Sequence, residues 1–231
     1  MKKTFGLLGL LAAACALPAQ AQIARCGAPA PTLVVERYTS ADCEACWRAT
    51  PPGDGAKIKG QPFVLDWIVP SARGDEAPLA PAALSEASTR LTRSGALSPD
   101  ETLSTRMPLP SRSALSLQVE QGPGWYGYMA LRMKTSFVSN RPLPSGLAAY
   151  LALVESIPAG EEGTPVPRRV VRTLVGPLSL QGLAAGHPVA QLQAARLPQN
   201  GKPERLVAVG WVETAAGHVL AVGEACLAPE N

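Results

Sequence analysis

The chain has little of what most catalytic and metal sites are built from. Its 231 residues include two histidines, too few for a histidine-built metal site or a Ser-His-Asp hydrolase. Only 17% of the residues are charged, and the formal net charge is +3. A charge this small and dispersed does not make a phosphate-binding surface, so we expect no nucleic-acid partner. Beyond residue 21 there is no apolar run of about 18 residues, so we expect no membrane span.

Proline and glycine, in contrast, are abundant. The 23 prolines and 21 glycines disfavour long helices and predict short segments joined by turns. Since 46% of the residues are hydrophobic, the chain can bury a core and is not a disordered polypeptide. No cofactor or metal is expected, and any chemistry is expected to come from the five cysteines.

The N-terminus has the pattern of an export signal. Two lysines precede an apolar stretch over 5–17, and Ala19–Ala21 is a small-x-small cleavage site. The apolar stretch is shorter than the ~20 residues of a spanning helix. We therefore predict a cleaved signal peptide over 1–21 and a periplasmic or secreted mature protein. A lipoprotein anchored at Cys15 stays open as the lesser alternative.

The mature chain begins with the pattern of a βαβ unit. Apolar and β-branched runs over 32–39 and 63–69 are typical of buried strands. The connection between them, about 23 residues, is long enough for the helical crossover that parallel strands need. A further helix is predicted over 81–94, and a short one beginning at Ser98.

After Pro110 the apolar spacing changes from the helical to the strand period, so we place a domain boundary there. Alternating apolar residues on both sides of a predicted turn at 122–124 indicate a hairpin. Strands are also predicted over 147–155 (where a helix is the alternative), 170–175, 189–195, 206–213 and 219–226. The expected fold class is α+β, with a βαβ domain over 22–110 followed by an all-β antiparallel sandwich domain over 111–231.

Three aromatic residues, Trp125, Tyr126 and Tyr128, belong to the predicted hairpin. Alternation predicts core packing on one face and ordinary exposure on the other, with a ligand platform as the alternative. The segment 122–127 also matches the dinucleotide-binding pattern G-x-G-x-x-G. Because a strand pattern follows it instead of a helix, the match favours a turn.

The most specific chemical feature is the C-x-x-C of Cys43 and Cys46, placed directly after the first predicted strand. The first sulfur would lie at the positive end of a helix dipole, which stabilises a thiolate, and the second lies one turn on. In this position the motif indicates a thioredoxin-like redox pair, with Cys43 as the attacking and Cys46 as the resolving cysteine.

The residues around this motif resemble a known family. Residues 34–40 read V-V-E-R-Y-T-S and are followed by the two cysteines. This is similar to the pattern V-V-E-L-[FY]-T-S-x-x-C-x-x-C-P-P of the secreted thioredoxin-like proteins known as domain of unknown function 1223. Weaker similarity continues at 64–67, 160–161 and 170–172. The resemblance implies a thioredoxin-like domain followed by an all-β domain, and it implies no established activity.

The resemblance also implies a cis-proline facing the disulfide, for which Pro108 is the candidate. Two local features differ from a strong redox site. Pro51–Pro52 should end the helix after about two turns, and the acidic side chains of Asp42 and Glu44 oppose the ionisation that a helix dipole favours.

Four cysteines remain after the leader, and only one pairing uses the C-x-x-C locally. We therefore predict the bridges Cys43–Cys46 and Cys26–Cys226, the second tying the mature N-terminus to the β domain. Two free buried thiols at Cys26 and Cys226 are the alternative.

Three functions fit the sequence. The first is a partner-binding module in which the Cys43–Cys46 disulfide is structural or redox-sensing. The second is a periplasmic thiol-disulfide oxidoreductase. The third is capture of a soft metal ion by the two thiolates. The expected partner is another periplasmic protein, contacted through the thiols or through the β domain.

Overall fold

Ten strands and two α-helices make up the part of the chain that the computed structural model describes, which is residues 30–52, 62–96, 99–139 and 142–226. The protein is therefore α+β, with mostly strands and few helices. The strands are β1 Leu33–Ser40, β2 Pro62–Val69, β3 Leu103–Pro108, β4 Leu115–Trp125, β5 Tyr128–Phe137, β6 Ala148–Ile157, β7 Arg168–Ser179, β8 Val189–Arg196, β9 Leu206–Glu213 and β10 Val219–Glu224. The helices are α1 Glu44–Trp47 and α2 Ser85–Arg93. Within these ranges no helix is long and apolar enough to cross a membrane.

The strands form two sheets. The larger has the order β10-β9-β6-β7-β2-β1-β3, and the smaller has the order β4-β5-β8. β1 and β2 are parallel over their whole length, from Leu33 opposite Pro62 to Ser40 opposite Val69. This pairing confirms the parallel strands that the sequence predicts for its first unit.

The larger sheet is covered on both faces because its strands carry apolar side chains on both. In β6, Tyr150, Ala152 and Val154 belong to the cluster that also contains residues of α2. Their neighbours at 149, 151 and 153 belong to the cluster that also contains residues of β4 and β5. Successive side chains point to opposite faces of a strand, so α2 lies on one face and the smaller sheet on the other.

The two sheets approach closely at Gly210 in β9. A Cβ atom at this position would lie 2.9 Å from the sulfur of Met133 and 3.1 Å from a methyl carbon of Val119. These two residues come from β5 and β4. A glycine is therefore required where side chains of the smaller sheet contact the backbone of the larger one.

The hairpin of the smaller sheet differs from the expectation in one respect. The turn lies at Tyr126 and Gly127, not at 122–124, and residues 122–124 belong to β4 at an irregularity in its pairing with β5. Both turn residues have positive φ, 47° and 79°, which is the geometry of the tight turns that match strand twist. The glycines that suggested a turn therefore form a local irregularity within the strand.

Other expectations are met in part. The helix predicted over 81–94 is α2, preceded by a 3-10 turn over Ala80–Ala82. Residues 99–102 are not helical, and Ser98 lies outside the described residues. The segment predicted over 147–155 is a strand, not the alternative helix. Strands from both sides of residue 110 pair in the larger sheet, so the predicted boundary does not separate two sheets.

Candidate functional site

Cys43 and Cys46 form a disulfide at the end of β1, with their Cα atoms 5.2 Å apart. Cys43 precedes α1, and its sulfur accepts a hydrogen bond of 3.2 Å from the backbone N–H of Cys46. Both cysteines are partly exposed. The pair therefore lies where parallel β1 and β2 end, as the motif predicts, and a partner molecule can reach it.

Helix α1 is shorter than the two turns that the sequence predicts, since it contains the four residues Glu44–Trp47. A helix end leaves backbone carbonyl groups without partners inside the helix. Here the side chain of Arg168, at the start of β7, supplies the missing hydrogen-bond donors. Its terminal nitrogen Nη2 lies 3.4 Å from the carbonyl oxygen of Cys46, 2.9 Å from that of Trp47 and 3.0 Å from that of Ala49.

Arg168 is itself held on its other sides. Its side chain has no exposed surface, and its Nη1 lies 3.5 Å from a carboxylate oxygen of Asp66 in β2. Its Nε donates to the hydroxyl of Thr164 at 3.0 Å. The guanidinium also lies over the ring of Trp47, 5.0 Å from the centroid. The C-x-x-C loop is therefore anchored by one buried cation to the sheet and to the segment before β7.

Asp66 completes this anchor, which we call the Arg168 clamp (Asp66, Thr164 and Arg168). The Asp66 carboxylate accepts a hydrogen bond of 2.6 Å from the side chain of Arg37 and another of 2.6 Å from the backbone N–H of Arg169. A buried carboxylate with three donors is satisfied, which is the condition for placing a charge inside a protein.

Trp47 is a core residue. It is 7% exposed and packs with Ile68 of β2, Ile157 and Val170. Its indole N–H donates to the carbonyl of Glu162 at 2.7 Å. Trp47 therefore packs against β2.

The acidic side chains beside Cys43 are paired with arginines. Glu44 lies 2.5 Å from Arg48, and Asp42 lies 3.7 Å from Arg73. All four side chains are at least one third exposed, so solvent screens each pair. The repulsion that these carboxylates would exert on a thiolate is thus partly offset.

A different segment from the expected one faces the disulfide. The Cys46 sulfur lies 3.7 Å from the carbonyl oxygen of Asp100, and the hydroxyl of Thr102 is 3.0 Å from that of Thr39 at the end of β1. Residues 100–102 contain no proline.

Pro108 does not fill the cis-proline role. It pairs with Leu33 at the start of β1, and β1 carries the chain roughly 23 Å away before the cysteines follow. The bond before Pro108 is not cis, and the cis bond of the described residues is Gly176-Pro177. Because β3 is antiparallel to β1, its first residues face the disulfide and its last residue is remote from it.

The other cysteines are only partly described. Cys226, two residues after β10, is disulfide-bonded. Cys26, its predicted partner, and Cys15, the lesser lipidation candidate, lie outside the described residues. Among the residues that are described, no group of three or more His, Cys, Asp or Glu side chains is placed to hold a metal ion.

Sequence reasoning missed the Arg168 clamp, although the sequence contains a trace of it. Arg37 and Asp66 are charged residues inside otherwise apolar strand runs, and such charges need partners when they are buried. The identity of the partner, about 100 residues further along, depends on the pairing of β2 with β7, which local patterns do not report.

The opposite face of β1 and β2 has a second buried charge cluster, which is structural. Arg90 of α2 lies between the rings of Trp67 and Trp211, 5.2 Å from each centroid. It pairs with Glu36 at 2.8 Å and with Glu213 at 3.0 Å. Burial lowers the pKa of Arg90, but the two carboxylates outweigh it, so the net pKa is raised. The cluster fixes α2 on the sheet.

No protein family model matches the chain, and no curated protein matches it. Among solved structures it is similar to HBP35 of Porphyromonas gingivalis, with a TM-score of 0.51 and 9% identity over 84% of this chain and 74% of that one. It also matches a domain of the outer membrane lipoprotein Omp28 from Porphyromonas gingivalis, with a TM-score of 0.36 and 15% identity over 53% of this chain and 94% of that one. At this identity, the first likeness shows a shared fold and nothing more.

Proposed function

We propose that the chain is a periplasmic or secreted thioredoxin-like protein, and that it works as a partner-binding module whose Cys43–Cys46 disulfide is structural or redox-sensing. The observation that carries the proposal is the disulfide itself, which is partly exposed and has its loop anchored by the Arg168 clamp. The presence of disulfides at Cys43–Cys46 and at Cys226 supports an oxidising compartment.

Two further proposals accompany it. We infer membership of the family known as domain of unknown function 1223 from the motif around the cysteines, and the parallel pairing of β1 with β2 supports it. We also infer that the N-terminal part is a thioredoxin-like unit and that the strands after residue 110 form a sandwich. The packing of the smaller sheet on the larger one supports the sandwich.

The short helix favours a module over a catalyst. A helix dipole sums aligned peptide units, and α1 has only four residues. Its positive end therefore gives a Cys43 thiolate less stabilisation than a long helix would. The N–H of Cys46, which points at the Cys43 sulfur, would still donate to a thiolate there.

That hydrogen bond is the reason to keep a second candidate, a thiol-disulfide oxidoreductase. In the reduced protein, the Cys43 thiolate would attack a substrate disulfide, forming a mixed disulfide and releasing one substrate thiolate. The Cys46 thiolate would then attack the Cys43 sulfur and release the second substrate thiolate, which restores the disulfide. The substrate gains two electrons, and a dithiol reductant must supply the two that the protein loses.

Turnover separates the two candidates. Reduction of insulin disulfides with dithiothreitol as reductant is measured for the wild-type protein and for Cys43→Ser. The module predicts equal rates, and a wild-type rate that depends on Cys43 would refute it in favour of the oxidoreductase. Equilibration of the pair with glutathione then assigns the module's disulfide: a potential below about −300 mV marks a structural bridge, and a higher one marks a sensor.

A further inference from the structure

The tip of the β4–β5 hairpin exposes three aromatic side chains. Trp125 is 74% exposed, Tyr126 is 86% exposed and Tyr128 is 52% exposed. We call these three residues the aromatic tip. The rings of Trp125 and Tyr126 lie 5.2 Å apart and contact each other. The expected core packing on one face is wrong here, because both strands extend past the buried part of the smaller sheet.

Tyr126 occupies a backbone conformation that is costly for it. Its φ is 47°, in the left-handed region, where glycine, asparagine and aspartate are the favoured turn residues. Apart from the contact with the ring of Trp125, its side chain lies in solvent, so packing within the chain offsets little of this strain. A strained and exposed aromatic residue points to a contact outside the chain.

The charge on this sheet has one dominant sign. Strands β4, β5 and β8 contain the cations Arg132, Lys134 and Arg196, and Glu120 is their one acidic residue. Glu120 pairs with Arg132 at 3.1 Å, so Lys134 and Arg196 carry the net positive charge. Arg196 stands opposite Tyr128 in the pairing of β8 with β5, so it shares a face with the tip. Arg132 and Lys134 follow on the same face of β5, since they lie four and six residues beyond Tyr128.

We propose that this face docks on a membrane surface containing anionic phospholipid, with the aromatic tip inserted at the level of the headgroups. Tryptophan and tyrosine favour that interface because each has an apolar body and a polar group. Lysine and arginine beside them attract anionic headgroups. The membrane would be contacted peripherally, without a spanning segment.

The size of the tip favours a membrane over a protein partner. Three aromatic side chains of 150–250 Å² each, exposed to this degree, present roughly 400 Å². A stable protein interface takes about 800 Å² from each partner. The tip is also a two-residue turn at the end of a hairpin, a shape suited to insertion between headgroups.

Trp125 provides its own reporter. The other three tryptophans, Trp47, Trp67 and Trp211, are at most 7% exposed, so a change of fluorescence on binding comes from Trp125. The wild-type protein is mixed with vesicles of phosphatidylcholine, with and without phosphatidylglycerol. We expect co-sedimentation and a blue shift with the anionic vesicles, both weakened by added salt. If the wild-type protein neither co-sediments with the anionic vesicles nor shows the blue shift, the proposal is wrong.

Tyr126→Asn makes the test specific. Asparagine tolerates positive φ, so the variant should unfold at the same or a higher temperature. Its vesicle affinity should fall by about tenfold, because one aromatic side chain is lost from the interface. Val138→Ala is the matched control, since Val138 is 68% exposed but follows the far end of β5. Equal affinity of Tyr126→Asn and wild type would refute the role of the tip.

Two other outcomes are informative. If the wild-type protein does not bind vesicles but forms a dimer that Tyr126→Asn abolishes, the face contacts a second copy, and the membrane proposal is wrong. Vesicle binding does not depend on the disulfide, so Cys43→Ser should bind as the wild type does. The proposed role of the disulfide and the membrane contact can therefore fail separately.

Discussion

Replacing Arg168 by methionine tests the clamp on the C-x-x-C loop. The change keeps an apolar stem and removes every donor of the guanidinium. The carbonyl oxygen of Trp47 then loses a buried hydrogen bond, and an unsatisfied buried acceptor costs about 1–3 kcal/mol. The carbonyls of Cys46 and Ala49 are partly buried, so water relieves part of their loss.

The carboxylate of Asp66 sets the upper limit of the effect. Leaving a buried charge wholly without a partner costs about 3–5 kcal/mol. Asp66 keeps two donors at 2.6 Å, from Arg37 and from the backbone of Arg169, so it is not orphaned. We therefore expect Arg168→Met to lower the free energy of unfolding by roughly 3 kcal/mol, a large share of the 5–15 kcal/mol typical of a domain.

Urea denaturation measures this loss, and Arg132→Met is the matched control. Arg132 pairs with Glu120 at 3.1 Å, and both side chains are about half exposed, so the same substitution there should cost about 0–1 kcal/mol. If Arg168→Met costs less than about 1 kcal/mol, or no more than the control, the clamp does not hold the loop.

A second measurement separates a local effect from a general loss of stability. The clamp anchors the backbone of the disulfide loop, so Arg168→Met should open that loop without global unfolding. Dithiothreitol should then reduce Cys43–Cys46 faster than in the wild type. Gly210→Val, which disturbs the distant contact between the sheets, should leave this rate unchanged. Equal acceleration in both variants would contradict the argument.

Two predictions concern the rest of the fold. Burial, and then the charge of Glu36, raises the pKa of Tyr38 far above the usual tyrosine value. The unfolded chain therefore releases this proton above about pH 10 while the folded protein keeps it, so stability should fall there by up to ~1.4 kcal/mol per pH unit. Tyr38→Phe should lose less in urea denaturation as the pH is raised, and equal slopes would refute the linkage. Gly210→Val should cost about 1–3 kcal/mol, because its side chain meets Met133 and Val119 within 3.1 Å of the Cβ position. An unchanged urea midpoint would show that the two sheets accommodate the larger side chain without a loss of stability.

Most of the strands could be predicted from the sequence because their evidence is local. The run over 32–39 is β1, and the run over 206–213 is β9 with the same bounds. The turn at 126–127 was misplaced for a physical reason. Glycine marks both turns and irregular strand pairing. Tyr126 adopts a positive φ, although tyrosine is not one of the residue types that indicate a positive φ in a sequence.

The sequence predicted the disulfide of the candidate site but not the segment that faces it. The disulfide follows from the spacing of two cysteines, since residues three apart after a strand are within bridging distance. Pro108 was wrongly assigned the cis-proline role because a proline near the start of a strand and a proline at its end look alike in sequence. Only the antiparallel register of β3 with β1 shows that it lies at the far end.

The sequence by itself determined the parallel first unit, the positions of most strands along the chain and the Cys43–Cys46 pair, because periodicity and spacing act over a few residues. Tertiary structure decided what surrounds them. It placed Arg168 against Asp66 and α1, joined strands from both sides of residue 110 in one sheet, and left the aromatic tip in solvent. These contacts join residues far apart in the chain, and they depend on how the sheets pack rather than on any local pattern.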